Sequence, residues 1–372
     1  WPDSDPVFDA DPMIFQLQNC VLDLKVNSFR RGLPTDMTRR SSSIEIPEEW
    51  SVNPELIEDK SADMRKLAWE IMWSIFRRNS DGQWRNAPHP DDKVAELGSQ
   101  DATNFVFIHD LLARLLEGRP IARCVFAWSK RGRNSKGILE KIIQAVWGDY
   151  YVPVKPSVFH PDRRGENDHN AGELHRRGAR VAFGNEVSKT PWSNGSFKSK
   201  NSTDPLPARG CGARDVEKIN PTYSFVFASN DPPLWEQPPK GSEWDRLLIE
   251  YLPNRFLNPN QEATSPRCFP KDMDLEATVA GEKFALGMLL NLMQQRSKRA
   301  AERRSLDDIV AEGTPTSRFW AEDWMRRWTA SESTDGEERD EPSTEEIAEA
   351  AKLLEKLHDQ LPNRCCKLDD RT

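Results

Sequence analysis

The sequence lacks the cysteine pattern of a disulfide-stabilised or zinc-binding protein. Only 6 of its 372 residues are cysteines, and none lies in a Cys-x-x-Cys pair, so we expect reduced thiols in an intracellular protein. His160, His169 and His175 follow one another at spacings of 9 and 6 residues with no cysteine nearby. That arrangement disfavours a zinc site.

Long apolar runs are also missing. The longest, 284–293, has ten residues and contains Asn291, whereas a membrane-spanning helix needs about 18 or more. We therefore expect no membrane span. The chain begins at Trp1, without Met and without the charged-then-apolar pattern of a signal peptide, as expected of a fragment or a processed product.

Charge is distributed unevenly along the chain. The net charge of −8 and the pI of about 5.5 argue against a generic nucleic-acid-coating protein. However, residues 331–350 alone hold nine Asp/Glu and one Arg, which predicts a solvated, flexible tail. Residues 130–218 hold 17 Lys/Arg and 10 Asp/Glu, a net +7, and single-stranded nucleic acid needs such a basic track.

Short apolar runs alternate with polar loops, and the 13 tryptophans indicate real cores. This order predicts an α/β fold with a mainly parallel sheet. Strands are predicted at 15–24, 121–128, 180–185, 223–229 and 247–252, and helices at 60–78, 104–117, 136–147 and 271–304. The predicted regions are an N-terminal segment (1–103), a central core (104–258), a helical region (259–330) and an acidic tail with a short helix (331–372).

Residues 128–137 join a predicted strand to a predicted helix, as a phosphate-binding loop does. Backbone N–H groups at a helix start bind anions, and a lysine in the first turn, here Lys136, can reach the outer phosphates. The consensus is Gly-x4-Gly-Lys-Ser/Thr. Here Lys130 and Ser135 replace the two glycines, and Gly137 replaces the Ser/Thr. A basic surface loop after a buried strand is the alternative interpretation.

Three further polar residues stand at predicted strand ends. Glu186 can bind Mg²⁺ or polarise an attacking water, and Asn230 follows a strand at the edge where ligands of open α/β sheets gather. Arg246 precedes a strand and can stabilise charge on a transferring phosphate, in cis or from a neighbouring subunit. The plainer alternatives are an ordinary strand-end acid for Glu186 and a surface ion pair for Arg246.

Taken in order, these motifs resemble the superfamily 3 helicase portion of the poxvirus- and phage-type primase–helicases, without the primase domain. The resemblance covers roughly residues 7–330. The matching residues are Lys136, Glu186, Lys198…Asp204…Ala208-Arg209, Asn230…Pro232 and Arg246. The chain departs from the family pattern at Gly137, at Ser202-Thr203 in place of Gly-Gly, and at Asn185 before Glu186.

The resemblance implies a P-loop, AAA-like ATPase core, flanked by a mixed N-terminal segment and a helical C-terminal region. It implies an ATP-dependent DNA helicase or translocase of replication that uses ATP and Mg²⁺. Lys136 would contact the β/γ-phosphates, Glu186 the metal or water, and Asn230 the γ-phosphate, while Arg246 would come from the next subunit of a homo-hexamer. The implied nucleotide-binding residues are Gly132, Arg133, Asn134, Ser135, Lys136 and Gly137.

The resemblance also implies single-stranded or forked DNA, held through phosphate contacts, and a primase or polymerase partner. The candidate DNA-binding residues are Lys198, Lys200, Arg209, Arg214 and Lys218, with surface solubility as their alternative role. Because Gly137 lacks a hydroxyl, a catalytically impaired helicase-like DNA-binding or scaffold protein is the main alternative function. An unrelated phosphate-loop enzyme, such as a small-molecule kinase, is a third.

Overall fold

The computed structural model describes residues 8–53, 55–76, 100–129, 132–161, 171–187, 189–209, 216–263, 267–303 and residue 324. The helices of these residues are α1 (Glu48–Val52), α2 (Leu56–Phe76), α3 (Gln100–Leu115), α4 (Lys136–Trp147), α5 (Ala171–Arg176), α6 (Asn194–Lys200), α7 (Gly241–Trp244), α8 (Leu275–Val279) and α9 (Glu282–Glu302). Their strands are β1 (Ile14–Gln16), β2 (Val21–Asp23), β3 (Ser28–Arg30), β4 (Cys124–Trp128), β5 (Tyr151–Val154), β6 (Val181–Asn185), β7 (Leu206–Ala208), β8 (Glu217–Ile219), β9 (Ser224–Ser229), β10 (Leu247–Tyr251), β11 (Arg255–Leu257) and β12 (Cys268–Pro270).

The central feature is a five-stranded sheet in the order β10-β4-β9-β6-β5. Every neighbouring pair is parallel, so the α/β, P-loop-ATPase-like fold class expected from the sequence is confirmed. The sequence analysis missed β5, which carries Pro153. Proline removes a ladder donor and is tolerated at the edge position that β5 occupies.

Both faces of the sheet are buried, each against its own hydrophobic core, and successive side chains of a strand point alternately into the two cores. Val125 and Ala127 of β4 join the core formed with α2, α3, α4 and α9. Phe126 and Trp128 point into an aromatic core on the opposite face. Trp324 packs there too, with its ring centroid 5.0 Å from that of Phe126 and 5.5 Å from that of Trp128.

The N-terminal residues form an antiparallel meander, β1-β2-β3. The prediction of one strand over 15–24 was wrong, because the chain turns after β1 and the Leu17 N–H donates to the Cys20 carbonyl at 2.9 Å. The buried Arg180 ties this meander to the core, since its Nη2 donates to the Ile14 carbonyl at 2.8 Å. Gly118 lies directly against the same guanidinium.

The long helix α9 packs against α2, α3 and α4. A buried ion pair between Asp110 Oδ1 and Arg299 Nη2, at 2.6 Å, joins α3 to α9. The predicted helical stretch 271–304 corresponds to α8 and α9. The predicted domain boundaries stay predictions; the one at 103/104 falls inside α3, and the acidic tail lies outside the described residues.

Of the helices described above, none combines the length and the apolar content that a bilayer crossing requires.

Candidate nucleotide-binding site

A cleft of about 370 Å³ opens at the carboxyl edge of the parallel sheet. This volume falls within the range of about 300–1,000 Å³ common for small-molecule sites. One end of the cleft is formed by the loop between β4 and α4 and by the carboxyl ends of β6 and β9. The other end is formed by residues that follow β10. The lining residues are Gly132, Arg133, Asn134, Ser135, Lys136, Gly137, Ile138, Asn185, Glu186, Ala228, Asn230, Phe256, Asn258, Lys271, Asp272, Leu275 and Glu276.

The loop has an unusual backbone just before α4. Ser135 is the N-cap of α4 with φ 67° and ψ 5°, and Arg133 has φ 66°. Left-handed backbone costs a residue with a Cβ about 1–2 kcal/mol. Position 135, a glycine in the consensus, therefore adopts a backbone conformation that favours glycine although a serine occupies it. Ser135 makes no side-chain cap bond. The first N–H groups of α4 therefore have no helical acceptor and suit an anion.

Lys136 begins α4 and is only 9% exposed. Its Nζ donates a hydrogen bond to Asn230 Oδ1, at the end of β9. Burial lowers the pKa of Lys136 to about 8, against the opposing attraction of Glu186 and Asp231. The ammonium is therefore held in place but poorly solvated, and a ligand with several negative charges would stabilise it.

Glu186 follows β6 and is fixed by the neighbouring strand β9. Its backbone is left-handed, with φ 57°, and its N–H donates to the Ala228 carbonyl at 2.8 Å. Its Oε2 accepts a hydrogen bond from Ser229 Oγ at 3.1 Å. The fold thus brings Lys136, Glu186 and Asn230 together at one sheet edge, although their catalytic roles stay predictions.

Asn185, the departure before Glu186, turns toward α4 instead. Its Nδ2 donates to Glu140 Oε2 at 2.8 Å, and Glu140 Oε1 accepts from the Tyr151 hydroxyl at 2.7 Å. The amide therefore links β6 to α4, and Glu186 is the acid that this strand end contributes to the cleft.

The sequence analysis missed the second end of the cleft. There β11 and β12 form a small parallel ribbon, and the Phe256 N–H donates to the Arg133 carbonyl at 2.8 Å. The Arg133 guanidinium bonds Gln261 Oε1, so its side chain braces the ribbon rather than standing free for phosphate. Phe256 and Leu275 give this end apolar surface beside the polar Asn258 and Asp272.

Arg246 does not share the cleft with these residues. It precedes β10, at the amino edge of the sheet, and its Nη1 donates to the Ser242 carbonyl at 2.8 Å. A five-residue strand spans roughly 17 Å, which separates Arg246 from the carboxyl edge of its own sheet. Its predicted role therefore requires the cleft of another copy.

Lys198 and Lys200, both predicted to bind DNA, are engaged within the fold. Lys198 Nζ lies 3.1 Å from Oε1 of the buried Glu243. Burial raises the pKa of Glu243, but hydrogen bonds from Lys198, from the Lys240 N–H and from the Ser242 hydroxyl outweigh it and lower the pKa to about 2. Lys200 Nζ donates to the Val158 carbonyl at 2.8 Å. Both lysines therefore anchor α6.

Arg209 and Lys218 lie at a hairpin. Strands β7 and β8 pair antiparallel, with Pro207 opposite the exposed Lys218. Arg209 follows β7, whereas Arg214 lies outside the described residues. The hairpin precedes β9, and its Glu217 pairs with Arg177, directly after α5. It therefore lies toward the amino edge of the sheet, away from the cleft.

ATP and Mg²⁺ stay predictions for this cleft, and its described residues form no preformed metal cage. Among the described residues, no group of three His, Cys, Asp or Glu could hold a metal ion. Mg²⁺ usually keeps several waters and is bound by one or two carboxylates together with substrate phosphates. Glu186 supplies one carboxylate at the phosphate end. Open space surrounds the Gly137 Cα on its Cβ side, so a hydroxyl is missing there but would fit.

Comparisons with known proteins give distant similarities. No protein-family model matches the chain. It is 20% identical over 317 residues to "Putative helicase 022R" of Frog virus 3 (isolate Goorha). It is also 20% identical over 311 residues to "Putative helicase 121R" of Invertebrate iridescent virus 3. These alignments cover 74% and 80% of this chain but 32% and 30% of the relatives, so the chain spans about a third of their length.

Among solved structures, the apo A form of the NrS-1 C-terminal region (305–718) aligns with 72% of this chain and 53% of its own, at 10% identity and a TM-score of 0.36. A second apo structure of the same region covers 72% of this chain and 54% of its own, also at 10% identity and a TM-score of 0.36. Alignments at this level carry no argument about function.

Proposed function

We propose that this chain is the motor region of an ATP-dependent DNA helicase or translocase. The observation that carries the proposal is the meeting of the Lys136 ammonium, the Glu186 carboxylate and the Asn230 amide at the start of α4. That set matches what phosphoryl transfer needs, which is positioning and charge stabilisation. The similarity to two viral proteins described as helicases supports the same choice.

In this proposal the triphosphate lies against the first N–H groups of α4 and against Lys136 Nζ. Because Nζ is bonded to Asn230 Oδ1 and has two further protons, one ammonium would bridge the amide and the arriving γ-phosphate. Any shift of the ammonium toward the phosphate would be passed to Asn230, which makes it a sensor of the γ-phosphate. Glu186 orients the attacking water, and Mg²⁺, when bound, neutralises charge on the phosphates. The base lies at the other end of the cleft, against Phe256.

In this proposal a ring of subunits couples ATP hydrolysis to movement on DNA. Arg246 stands at the sheet edge opposite the cleft, so one subunit's Arg246 can complete the cleft of the next in a homo-hexamer. Single-stranded DNA would be gripped by the β7–β8 hairpin through Lys218, Arg209 and Arg214. Lys198 and Lys200 contribute only indirectly, by holding α6, because both are bonded within the fold.

The test is the ATPase rate with Mg²⁺, with and without single-stranded DNA. We expect DNA to stimulate the rate and Lys136→Ala to abolish it. Lys141→Ala is the matched control, since Lys141 is on the same helix, is 44% exposed and pairs with Glu276 at 3.0 Å. Equal turnover by the wild type and Lys136→Ala would refute the site, and a wild-type rate indifferent to DNA would refute the motor.

A second candidate function is a helicase-like DNA-binding or scaffold protein without turnover. The glycine at 137, in place of a metal-ligating hydroxyl, is the observation that favours it. Nucleotide binding that depends on Lys136 but is followed by no hydrolysis would establish this alternative. Hydrolysis by the wild type would exclude it.

A further inference from the structure

Ser229 is a completely buried serine at the last position of β9, directly before Asn230. Its Oγ accepts a hydrogen bond from the Asp231 N–H at 3.2 Å and lies 3.1 Å from Glu186 Oε2. A hydroxyl has one proton to donate. Because the backbone N–H supplies one of its bonds, that proton is directed at the Glu186 carboxylate.

The consequence for Glu186 is a restricted orientation. Its backbone is held by the Ala228 carbonyl at 2.8 Å, and its Oε2 is held by Ser229. Its second carboxylate oxygen makes no hydrogen bond to a described residue, and Glu186 lines the same cleft as Lys136. A carboxylate anchored through one oxygen presents the other in a fixed direction, which lowers the cost of reaching a reactive geometry.

We propose that Ser229 is the positioning residue for Glu186, holding one carboxylate oxygen so that the other faces the attacking water. This rests on the proposed function of Glu186 in hydrolysis. Ser229 touches neither substrate nor reacting atoms, so it acts through Glu186 alone. The motifs that identified Glu186 and Asn230 gave no reason to select the serine directly before Asn230.

The same strand provides a matched control. Ser224 begins β9, is 4% exposed, and its Oγ accepts the Ile121 N–H at 2.9 Å. Both serines are therefore buried, both lie at an end of β9 and both accept one backbone N–H. Only Ser229 also contacts Glu186. Comparing Ser229→Ala with Ser224→Ala separates the loss of a buried hydroxyl from the loss of its bond to the carboxylate.

The experiment measures kcat and KM for ATP, with urea denaturation of each variant. Losing a hydrogen bond to a charged group corresponds to about a 10- to 100-fold effect. We expect Ser229→Ala to lower kcat by about that factor with KM changed less than about threefold. Ser224→Ala should be destabilised to a similar extent but keep the wild-type kcat. Ser229→Thr, which retains the hydroxyl, should recover most of the rate, whereas Ser229→Cys, a weak donor, should not.

Each result decides the matter. Wild-type kcat in a folded Ser229→Ala, or an equal fall in kcat in Ser224→Ala, would overturn the positioning role alone. If the wild type shows no hydrolysis that depends on Lys136, the proposed function and the positioning role both fail. If Ser229→Ala does not fold, the Thr and Cys variants decide, since equal rates for these two would also overturn the role.

Discussion

Replacing Lys136 by methionine should make the nucleotide-free protein more stable while destroying its site. Lys136 is buried, and its pKa is lowered from 10.5 to about 8. Each tenfold change in an acid constant is worth about 1.4 kcal/mol, so keeping this ammonium charged costs the folded state about 2–3 kcal/mol once solvent screening is allowed for. Methionine has a similar length without the charge, but it leaves Asn230 Oδ1 without its donor, at about 1 kcal/mol. We expect a net gain of about 1–2 kcal/mol at pH 7.

The pH dependence of folding stability tests independently whether the charge on Lys136 destabilises the fold. Between about pH 8 and 10.5 the unfolded chain keeps the Lys136 proton while the folded chain loses it, so wild-type stability from this group rises with pH in that window. The advantage of Lys136→Met should be complete below pH 8 and lost near pH 10.5. Urea denaturation of both proteins at pH 7 and pH 9.5 measures this difference, in which all other titrating groups cancel.

The matched control is Lys141→Met on the same helix. Lys141 is exposed and pairs with an exposed Glu276, and such pairs contribute about 0–1 kcal/mol. Its replacement should not increase stability at either pH. If Lys136→Met were no more stable than the wild type at pH 7, or gained equally at both pH values, the inference of a destabilised lysine would be wrong.

Three further perturbations test separate parts of the structure. Gly137→Ser should fold normally, because nothing lies within 4 Å of the added Cβ, and it should raise the Mg²⁺-dependent ATPase rate by restoring a metal ligand; an unchanged rate at saturating Mg²⁺ would count against that reading. Gly118→Ala should destabilise the fold by about 2 kcal/mol or more in urea denaturation, since its Cβ would lie 1.2 Å from Arg180 Nη1; a wild-type midpoint would contradict the close packing. Phe256→Ala should weaken ATP binding about tenfold by calorimetry, while tripolyphosphate, which has no base, should bind as before; equal losses for both would place Phe256 elsewhere in the site.

The sequence was most informative where residues were both periodic and buried. The helix over 136–147 and the end of the strand before Asn230 were predicted at the residues observed, because apolar spacing along one face directly reflects packing. Parallel topology then required Lys136, Glu186 and Asn230 to meet, since carboxyl ends of parallel strands share one edge. Their meeting was thus predictable from strand order, without any contact being known.

What could not be predicted came from short segments and from side-chain choices. The ribbon of β11 and β12 has three residues in each strand, too few for a period to be recognised, and it supplies Phe256. Lys198 was predicted to grip DNA, but it meets the buried Glu243, a partner 45 positions along the chain that no local pattern indicates. Positive charge in a sequence therefore marks candidates, and only the fold shows which cations are already neutralised.

Strand β9 has its two ends in different parts of the molecule. Its amino end follows the β7–β8 hairpin closely, and its carboxyl end presents Ser229 and Asn230 to the cleft. Because β9 is paired with β4 and β6 along its length, its two ends are held at a fixed separation and would move together with those neighbours. A displacement of its carboxyl end upon loss of the γ-phosphate would then appear, nearly undiminished, at the hairpin. In the proposed function, the orientation of this one central strand would set the direction of the step.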